Sequence, residues 1–260
     1  MSEKKKILVS GAAGFIGANF LEKALSKGHK ILAIDSLTYS GIKNNVSRFN
    51  GSKNFEFKKI DILNKKKLES SIKNFSPNFI INFAAESHVD RSIENPMSFI
   101  ETNCLGVINF LQCIKKLKLT CKTKLVQIST DEVYGEVNFP ATENNRYMPN
   151  SPYAASKASA DLFIRAWDKT FNLKNIILHP SNNYGPRQFP EKLMPLIITN
   201  ALYKKKLPIY GDGKQTREWI FVDDTVEAIL QCLQKKDLIG HLNIGSGQRY
   251  TNLQIVKKSA

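Results

Sequence analysis

Lys6-Ile7-Leu8-Val9-Ser10-Gly11-Ala12-Ala13-Gly14-Phe15-Ile16-Gly17 is the stretch that decides the fold. A short apolar, strand-forming run enters three glycines spaced G-x-x-G-x-x-G, and helical periodicity over Phe15 to Ser26 opens directly from them. Glycines at these places permit a tight turn, let backbone N–H groups approach a pyrophosphate and let the helix pack closely on its strand, with the helix N-terminus facing the anion. A second strand, Ile31-Leu32-Ala33-Ile34, ends in Asp35. A carboxylate there accepts from ribose hydroxyls and repels a 2′-phosphate, which predicts NAD rather than NADP.

Outward from that turn the same alternation continues. Apolar β-branched runs at Phe55 to Ile60, Phe79-Ile80-Ile81, Leu125-Val126-Gln127-Ile128 and Ile176-Ile177-Leu178 are separated by helical spacing at Leu68 to Phe75, Met97 to Leu117 and Tyr153 to Phe171. Short continuous apolar strands between helices are buried on both faces, so six βα units predict an α/β fold with a doubly wound, Rossmann-type parallel sheet. After His179 the texture changes to a loop-rich stretch with Pro180, Gly185, Pro186, Pro190, Pro195, Pro208 and the Gly211-Asp212-Gly213 turn. The expected division is an NAD-binding domain over 1–180 and a smaller substrate-binding lobe over 181–260, with parts of 219–245 returning to the first. There is no internal repeat and no low-complexity segment.

A formal net charge of +15 over 260 residues raises a nucleic-acid-binding reading. Of the 38 basic residues only seven are Arg, the side chain whose planar fork grips phosphate in two places, and Lys runs such as Lys65-Lys66-Lys67 and Lys204-Lys205-Lys206 are scattered. The charge is read as a solvated basic surface that steers an anionic substrate, and no nucleic-acid partner is expected. No apolar stretch is read as long enough to span a bilayer, and Met1 to Lys6 runs straight into a strand, so no membrane partner and a cytoplasmic location are expected. Cys104, Cys113, Cys121 and Cys232 lack C-x-x-C spacing and sit in or beside apolar segments. Buried reduced thiols and no metal site are the expectation.

The glycine spacing, together with the Y-x-x-x-K of Tyr153-Ala154-Ala155-Ser156-Lys157, resembles the short-chain dehydrogenase/reductase superfamily. Positions i and i+4 share a helix face, so phenol and ammonium project together. That cation and an oxidised nicotinamide are expected to lower the phenol pKa, letting Tyr153 act as a base toward a sugar hydroxyl while Lys157 also holds the nicotinamide ribose. Ser129-Thr130-Asp131-Glu132-Val133-Tyr134-Gly135 follows the fifth strand, at the carboxyl end where doubly wound folds collect active-site groups. Adjacent carboxylates suit a water elimination, which needs an acid for the departing hydroxyl and a base for a carbon-bound proton.

Further stretches narrow the resemblance: Asp35-Ser36-Leu37-Thr38-Tyr39, Ala84-Ala85-Glu86-Ser87-His88-Val89-Asp90-Arg91-Ser92, Phe99-Ile100-Glu101-Thr102-Asn103, Ser181-Asn182-Asn183-Tyr184-Gly185-Pro186, Phe189-Pro190-Glu191-Lys192-Leu193 and Tyr210-Gly211-Asp212-Gly213. With Thr130 to Gly135 they are similar, over essentially the whole chain, to the dTDP-glucose 4,6-dehydratase family. Related sugar-nucleotide 4-epimerases, decarboxylases and GDP-mannose dehydratases usually lack the Asp-Glu pair. The resemblance therefore implies a hydro-lyase acting on dTDP-glucose, or on UDP-glucose, because base recognition rests on weakly specific loops.

What the resemblance implies for the site is detailed. Tyr153 takes the O4 proton as C4 is oxidised, Glu132 takes the C5 proton, Asp131 protonates the C6 hydroxyl, Thr130 bonds O4, and NAD stays bound as a prosthetic group. Gly11, Gly14, Phe15, Ile16, Gly17, Asp35, Ser36, Leu37 and Thr38 would hold the cofactor, with Asp61 and Ile62 beside the adenine, Ala84 to Ser87 at its phosphates and ribose, and Thr102, Ser129, Tyr153, Lys157 and Asn183 joining them. His88 and Asn182 would touch the sugar, while Lys192, Leu193, Pro208, Ile209 and Tyr210 surround the nucleotide. Arg217 would hold the diphosphate, the alternative being a surface ion pair with Glu218. A homodimer built from the helices Met97 to Leu117 and Tyr153 to Phe171 is also implied. The stripe Phe99, Leu105, Ile108, Leu111 and Ile114 is its candidate face, with ordinary core packing the alternative. Family members usually continue beyond the segment matching Leu253 to Val256, whereas this sequence stops at Ala260, so an incomplete substrate lobe is expected. A catalytically silent NAD-binding subunit is the competing reading from another class.

Overall fold

Ile, Leu and Val runs bounded by glycine or polar residues are too short for helices, and they form strands covered on both faces. The structure, a computed structural model, describes residues 3–137, 140–207, 209, 211–235 and 237–259. Its strands are β1 (Lys6–Ser10), β2 (Lys30–Asp35), β3 (Phe55–Lys59), β4 (Phe79–Asn82), β5 (Lys124–Ile128), β6 (Asn175–Pro180), β7 (Asn182–Tyr184), β8 (Thr216–Phe221), β9 (Gly240–Ile244) and β10 (Arg249–Thr251). Between them lie α1 (Phe15–Ser26), α2 (Asn44–Ser47), α3 (Lys65–Phe75), α4 (Val89–Glu94), α5 (Pro96–Phe99), α6 (Gly106–Lys116), α7 (Pro152–Phe171), α8 (Leu193–Leu202), α9 (Val222–Gln234) and α10 (Asn252–Ser259). A π-helical turn, Ile100–Leu105, joins α5 to α6, and a 3-10 turn, Asp131–Tyr134, follows β5.

The main sheet is parallel and ordered β3-β2-β1-β4-β5-β6-β9. It has seven strands where six units were expected, because β9 pairs with β6 from Ile176↔Gly240 to Pro180↔Ile244. The stretch after His179 also carries more regular structure than its prolines suggest, including a second sheet ordered β10-β8-β7. Alternation along each strand divides the core. Ile7, Val9, Ile31 and Ala33 pack with Phe20 and Leu21 of α1 and Val226, Ile229 and Leu230 of α9. Leu8, Leu32, Ile34 and Ile80 pack with α3, α6 and α7 through Leu68, Ile72, Phe110, Leu111, Ile114 and Ile164. The order reverses between β1 and β4, where a doubly wound sheet opens its crevice.

Three expectations are corrected here. By length and composition the helical segment Pro96–Lys116 suffices to cross a bilayer, although half of its most apolar window is buried inside the fold. Phe99, Leu111 and Ile114 of the expected dimer stripe are buried within the chain, and only Leu105 stands clearly outside. The π-helical turn explains this, since its wider spacing breaks the 3.6-residue period between Phe99 and Leu111. Cys104, Cys113 and Cys232 are buried free thiols, but Cys121, in the loop before β5, is exposed.

Candidate active site

The crevice begins at the turn after β1. Gly11 has φ +66, and a Cβ there would lie 2.5 Å from the Ala84 nitrogen; a Cβ on Gly17 would lie 2.3 Å from the Gly11 carbonyl oxygen. The turn is therefore packed as tightly as backbone allows. No side chain caps the start of α1 and its first turn holds no acid, so its leading N–H groups remain available to an anion. Asp35, buried at the end of β2, accepts from Ala13 N (2.9 Å) and Leu37 N (2.7 Å). Burial raises its pKa, and those two backbone bonds oppose the rise.

One part of the cleft is lined by Gly11, Gly14, Asp35, Ser36, Thr38, Asp61, Ile62, Ala84, Ala85, Glu86 and Thr102. Its continuation is lined by Phe15, Ile16, Gly17, Ser87, Ser129, Tyr153, Lys157 and Lys192. Thr102 belongs to the π-helical turn, whose next residue, Asn103, accepts from Glu86 N (2.8 Å) and donates to Ser156 Oγ (2.9 Å). Leu37 does not line the cleft; at φ +57 it packs on the core beside it.

Ser151 opens α7 by accepting from Ala154 N (3.1 Å), with Pro152 in its first turn, and this sets the phase of the next residues. Tyr153 and Lys157 are both buried. Lys157 Nζ donates to the Ile128 carbonyl (2.6 Å) at the end of β5. Burial lowers its pKa to about 8, and the Asp161 charge opposes the drop. Thr130 lies beside the Tyr153 hydroxyl and favours its ionised form. The phenol's pKa is raised by burial and then by Glu132, and Thr130 opposes the rise.

Thr130 donates to Asp131 Oδ1 (3.3 Å) and accepts from Glu132 N (3.3 Å). Burial, reinforced by Glu132, lifts Asp131 to about 7. Burial also raises Glu132, but Arg217 and Lys192 pull it back. The two carboxyls thus differ in surroundings, one suited to hold a proton and the other to accept one.

His88 precedes α4 with Nδ1 buried and unpartnered; Asn182 Nδ2 and Asn183 Oδ1, on β7, share that condition. Lys192 Nζ reaches the Ser87 carbonyl (3.2 Å). Leu193 starts α8 and packs in the lobe's own core with Ile197, Ile255 and Val256. Ile209 is exposed, and Pro208 and Tyr210 lie outside the described residues. Arg217, on β8, is exposed, and Glu218 accepts from Gly247 N (2.8 Å). Sequence reasoning gave no role to Tyr39, Phe189 and Glu191, which also line the cleft. Arg91 stacks on Tyr39 at 4.0 Å and pairs with Glu191 at 3.0 Å, closing one loop onto another. All lay inside the quoted stretches, but nothing local marks residues that meet only across the crevice.

A family model described as GDP-mannose 4,6 dehydratase matches residues 8–260. The dTDP-glucose 4,6-dehydratase of Xanthomonas campestris pv. campestris is 43% identical over 258 residues, covering 96% of this chain and 74% of that relative. The chain belongs to the dTDP-glucose 4,6-dehydratase family. Solved structures of the family agree in shape. The Bacillus anthracis enzyme in complex with NAD is 44% identical at a TM-score of 0.88, over 98% of this chain and 79% of that one. The Streptomyces venezuelae enzyme with NAD and TYD bound is 39% identical at a TM-score of 0.92, over 98% and 80%. The family model carries the name of another sugar dehydratase, but the relatives named here carry the glucose enzyme's.

Proposed function

We propose that this chain removes water from dTDP-glucose to give the 4-keto-6-deoxy sugar, using NAD that stays bound. The observation that carries the reading is the half-buried Asp131–Glu132 pair, with Asp131 lifted to about 7 and Glu132 pulled back by Arg217 and Lys192, near buried Tyr153 and Lys157. Gly11, Gly14, Gly17, Asp35 and Thr102 would hold the cofactor, and the uncapped start of α1 fits its pyrophosphate. When bound, NAD supplies reversible oxidation at the sugar's C4 and reduction at C6. The residues of the chain move the protons. Tyr153, beside Thr130, takes the O4 proton. Oxidation at C4 acidifies the C5 hydrogen, which Glu132 accepts, and Asp131 delivers its proton to the C6 hydroxyl as water leaves. Lys157 would bond the nicotinamide ribose, and Ser129 and Asn183 would complete that side.

Substrate recognition by His88, Asn182, Lys192 and Arg217 belongs to the same proposal. Its support is the set of unpartnered atoms on His88 and Asn182 and the influence of Lys192 and Arg217 on Glu132. Residues 1–180 with the returning part of 219–245 are proposed as the NAD-binding unit and the rest as the substrate lobe. Ion pairs from α1 to α9, Lys23–Asp223 and Lys27–Glu227, each 3.2 Å, favour that assignment of α9. A homodimer is proposed through the outward apolar face of Ile93 (66% exposed), Met97 (58%) and Leu162 (52%), near the helices expected to pair. A cytoplasmic location goes with a charged diphosphate substrate that does not cross bilayers unaided. Incubating purified protein separately with dTDP-glucose and UDP-glucose tests the reading. The 4-keto-6-deoxy product from dTDP-glucose is expected, and its absence refutes the assignment.

A further inference from the structure

Beneath the proposed catalytic pair lies a buried polar cluster that the reaction does not use directly. Asp161 sits one turn beyond Lys157 on α7, with its side chain only 1% exposed. Its Oδ2 accepts from Ser129 Oγ (2.5 Å) and lies 3.2 Å from His179 Nε2. The His179 ring, also buried, meets the Tyr147 hydroxyl (2.9 Å) on that nitrogen and the Tyr134 hydroxyl (3.4 Å) on the other. Tyr134 donates onward to Asn243 Oδ1 (2.8 Å) on β9.

Burying a carboxylate among these groups is costly unless it is repaid by structure or function. The cluster's geography suggests which. Ser129 is flanked by Ile128, whose carbonyl holds Lys157, and by Thr130, which bonds Asp131 and Glu132 and stands beside Tyr153. Asp161 is therefore a second cross-link, beside Lys157 itself, between the end of β5 and the helix bearing Tyr153 and Lys157.

We propose that Asp161 is a positioning residue: clamped by Ser129 and His179, its carboxylate locks the end of β5 to α7, keeping Lys157 and Tyr153 in register with Thr130, Asp131 and Glu132. The inference rests on the proposed dehydratase reading for its catalytic consequence, but not for its effect on Lys157. Titratable groups near Lys157 are Tyr153 and Asp161 on its own helix, with His179 from β6 reaching it through Asp161, and Asp131 and Glu132 from the 3-10 turn through Tyr153. Across the cleft stand Arg187, Glu191 and Lys192, with Tyr39 on the loop after β2. Asp161 is the charge that opposes the burial of the ammonium.

The test uses holoprotein labelled with 13C at lysine Cε, with the Lys157 signal assigned by its loss in Lys157→Met. In the parent the signal is expected to titrate near pH 8. Asp161→Asn is expected to lower that midpoint by about one pH unit, because an anion beside a buried cation favours its charged form. Unchanged titration in a folded Asp161→Asn protein overturns the inference, and this arm needs no substrate. With dTDP-glucose, His179→Gln and Ser129→Ala are each expected to lower kcat about tenfold at unchanged KM, since misplacement acts on the reacting geometry rather than on binding. Parental kcat in both variants overturns it even if Asp161→Asn fails to fold. A parent with no turnover would count against the dehydratase reading, while the titration would still decide the role of Asp161.

Discussion

If Asp131 protonates the departing C6 hydroxyl, the elimination must weaken as the pH rises above neutrality. Burial and the neighbouring Glu132 lift this carboxyl to about 7 from an ordinary 3.8. At pH 7 about half of the molecules then carry the proton, whereas an unperturbed aspartate would carry it in fewer than about one in a thousand. The proton is present below about pH 7 and is lost as the pH climbs through that value. The elimination rate constant should therefore approach a fall of about tenfold per pH unit on the alkaline side. Asp131→Asn keeps the shape but not the transferable proton, and a loss of roughly 10²–10⁴-fold is expected. A single-turnover experiment separates the steps, because reduced-cofactor absorbance rises with oxidation at C4 and decays only after water has left. In the parent the decay should slow above pH 7; in Asp131→Asn the absorbance should rise and persist. A decay independent of pH from about 6 to 9, or a variant decaying at the parental rate, would refute the assignment of Asp131 as the acid.

Other expected outcomes test separate parts of the site. Tyr153→Phe should abolish the initial rise in reduced cofactor while NAD content stays at the parental level, read by assaying nucleotide released on denaturation. Gly17→Ala should lose bound NAD, since its Cβ would meet the Gly11 carbonyl oxygen at 2.3 Å and the turn must shift; parental NAD content would contradict the packing argument. Arg217→Gln should raise KM about 10–100-fold through loss of charge-assisted hydrogen bonds to the diphosphate. It should also move the acid limb of turnover upward, because Arg217 holds Glu132 down. Met97→Glu with Leu162→Glu should sediment as a monomer where the parent is a dimer, and an unchanged dimer would exclude that face.

The site was legible where chemistry is local in sequence. The glycine turn, Asp35, the Tyr153–Lys157 spacing and the Asp131–Glu132 pair each announce themselves within a few residues, and the crevice collects most of them. What escaped was long-range or hidden in backbone. Phe99, Leu111 and Ile114 follow the core-packing alternative, a choice that the stripe's spacing alone does not make, the more so as its helix passes through a π-helical turn at Ile100–Leu105. β9 joins the main sheet from a stretch about sixty residues after β6, a pairing without a local signature. Asp161 and His179 looked like ordinary helix and strand residues until the fold brought them to Ser129.

The central claim is that one chain oxidises C4, expels water across C5 and C6, and reduces C6 with the same electrons. Dehydrating dTDP-glucose labelled with deuterium at C4 tests it most directly. The expected result is a 4-keto-6-deoxy product with the deuterium in its C6 methyl group and no net consumption of NAD. Product without the label at C6, or no product from purified NAD-loaded protein, would contradict it.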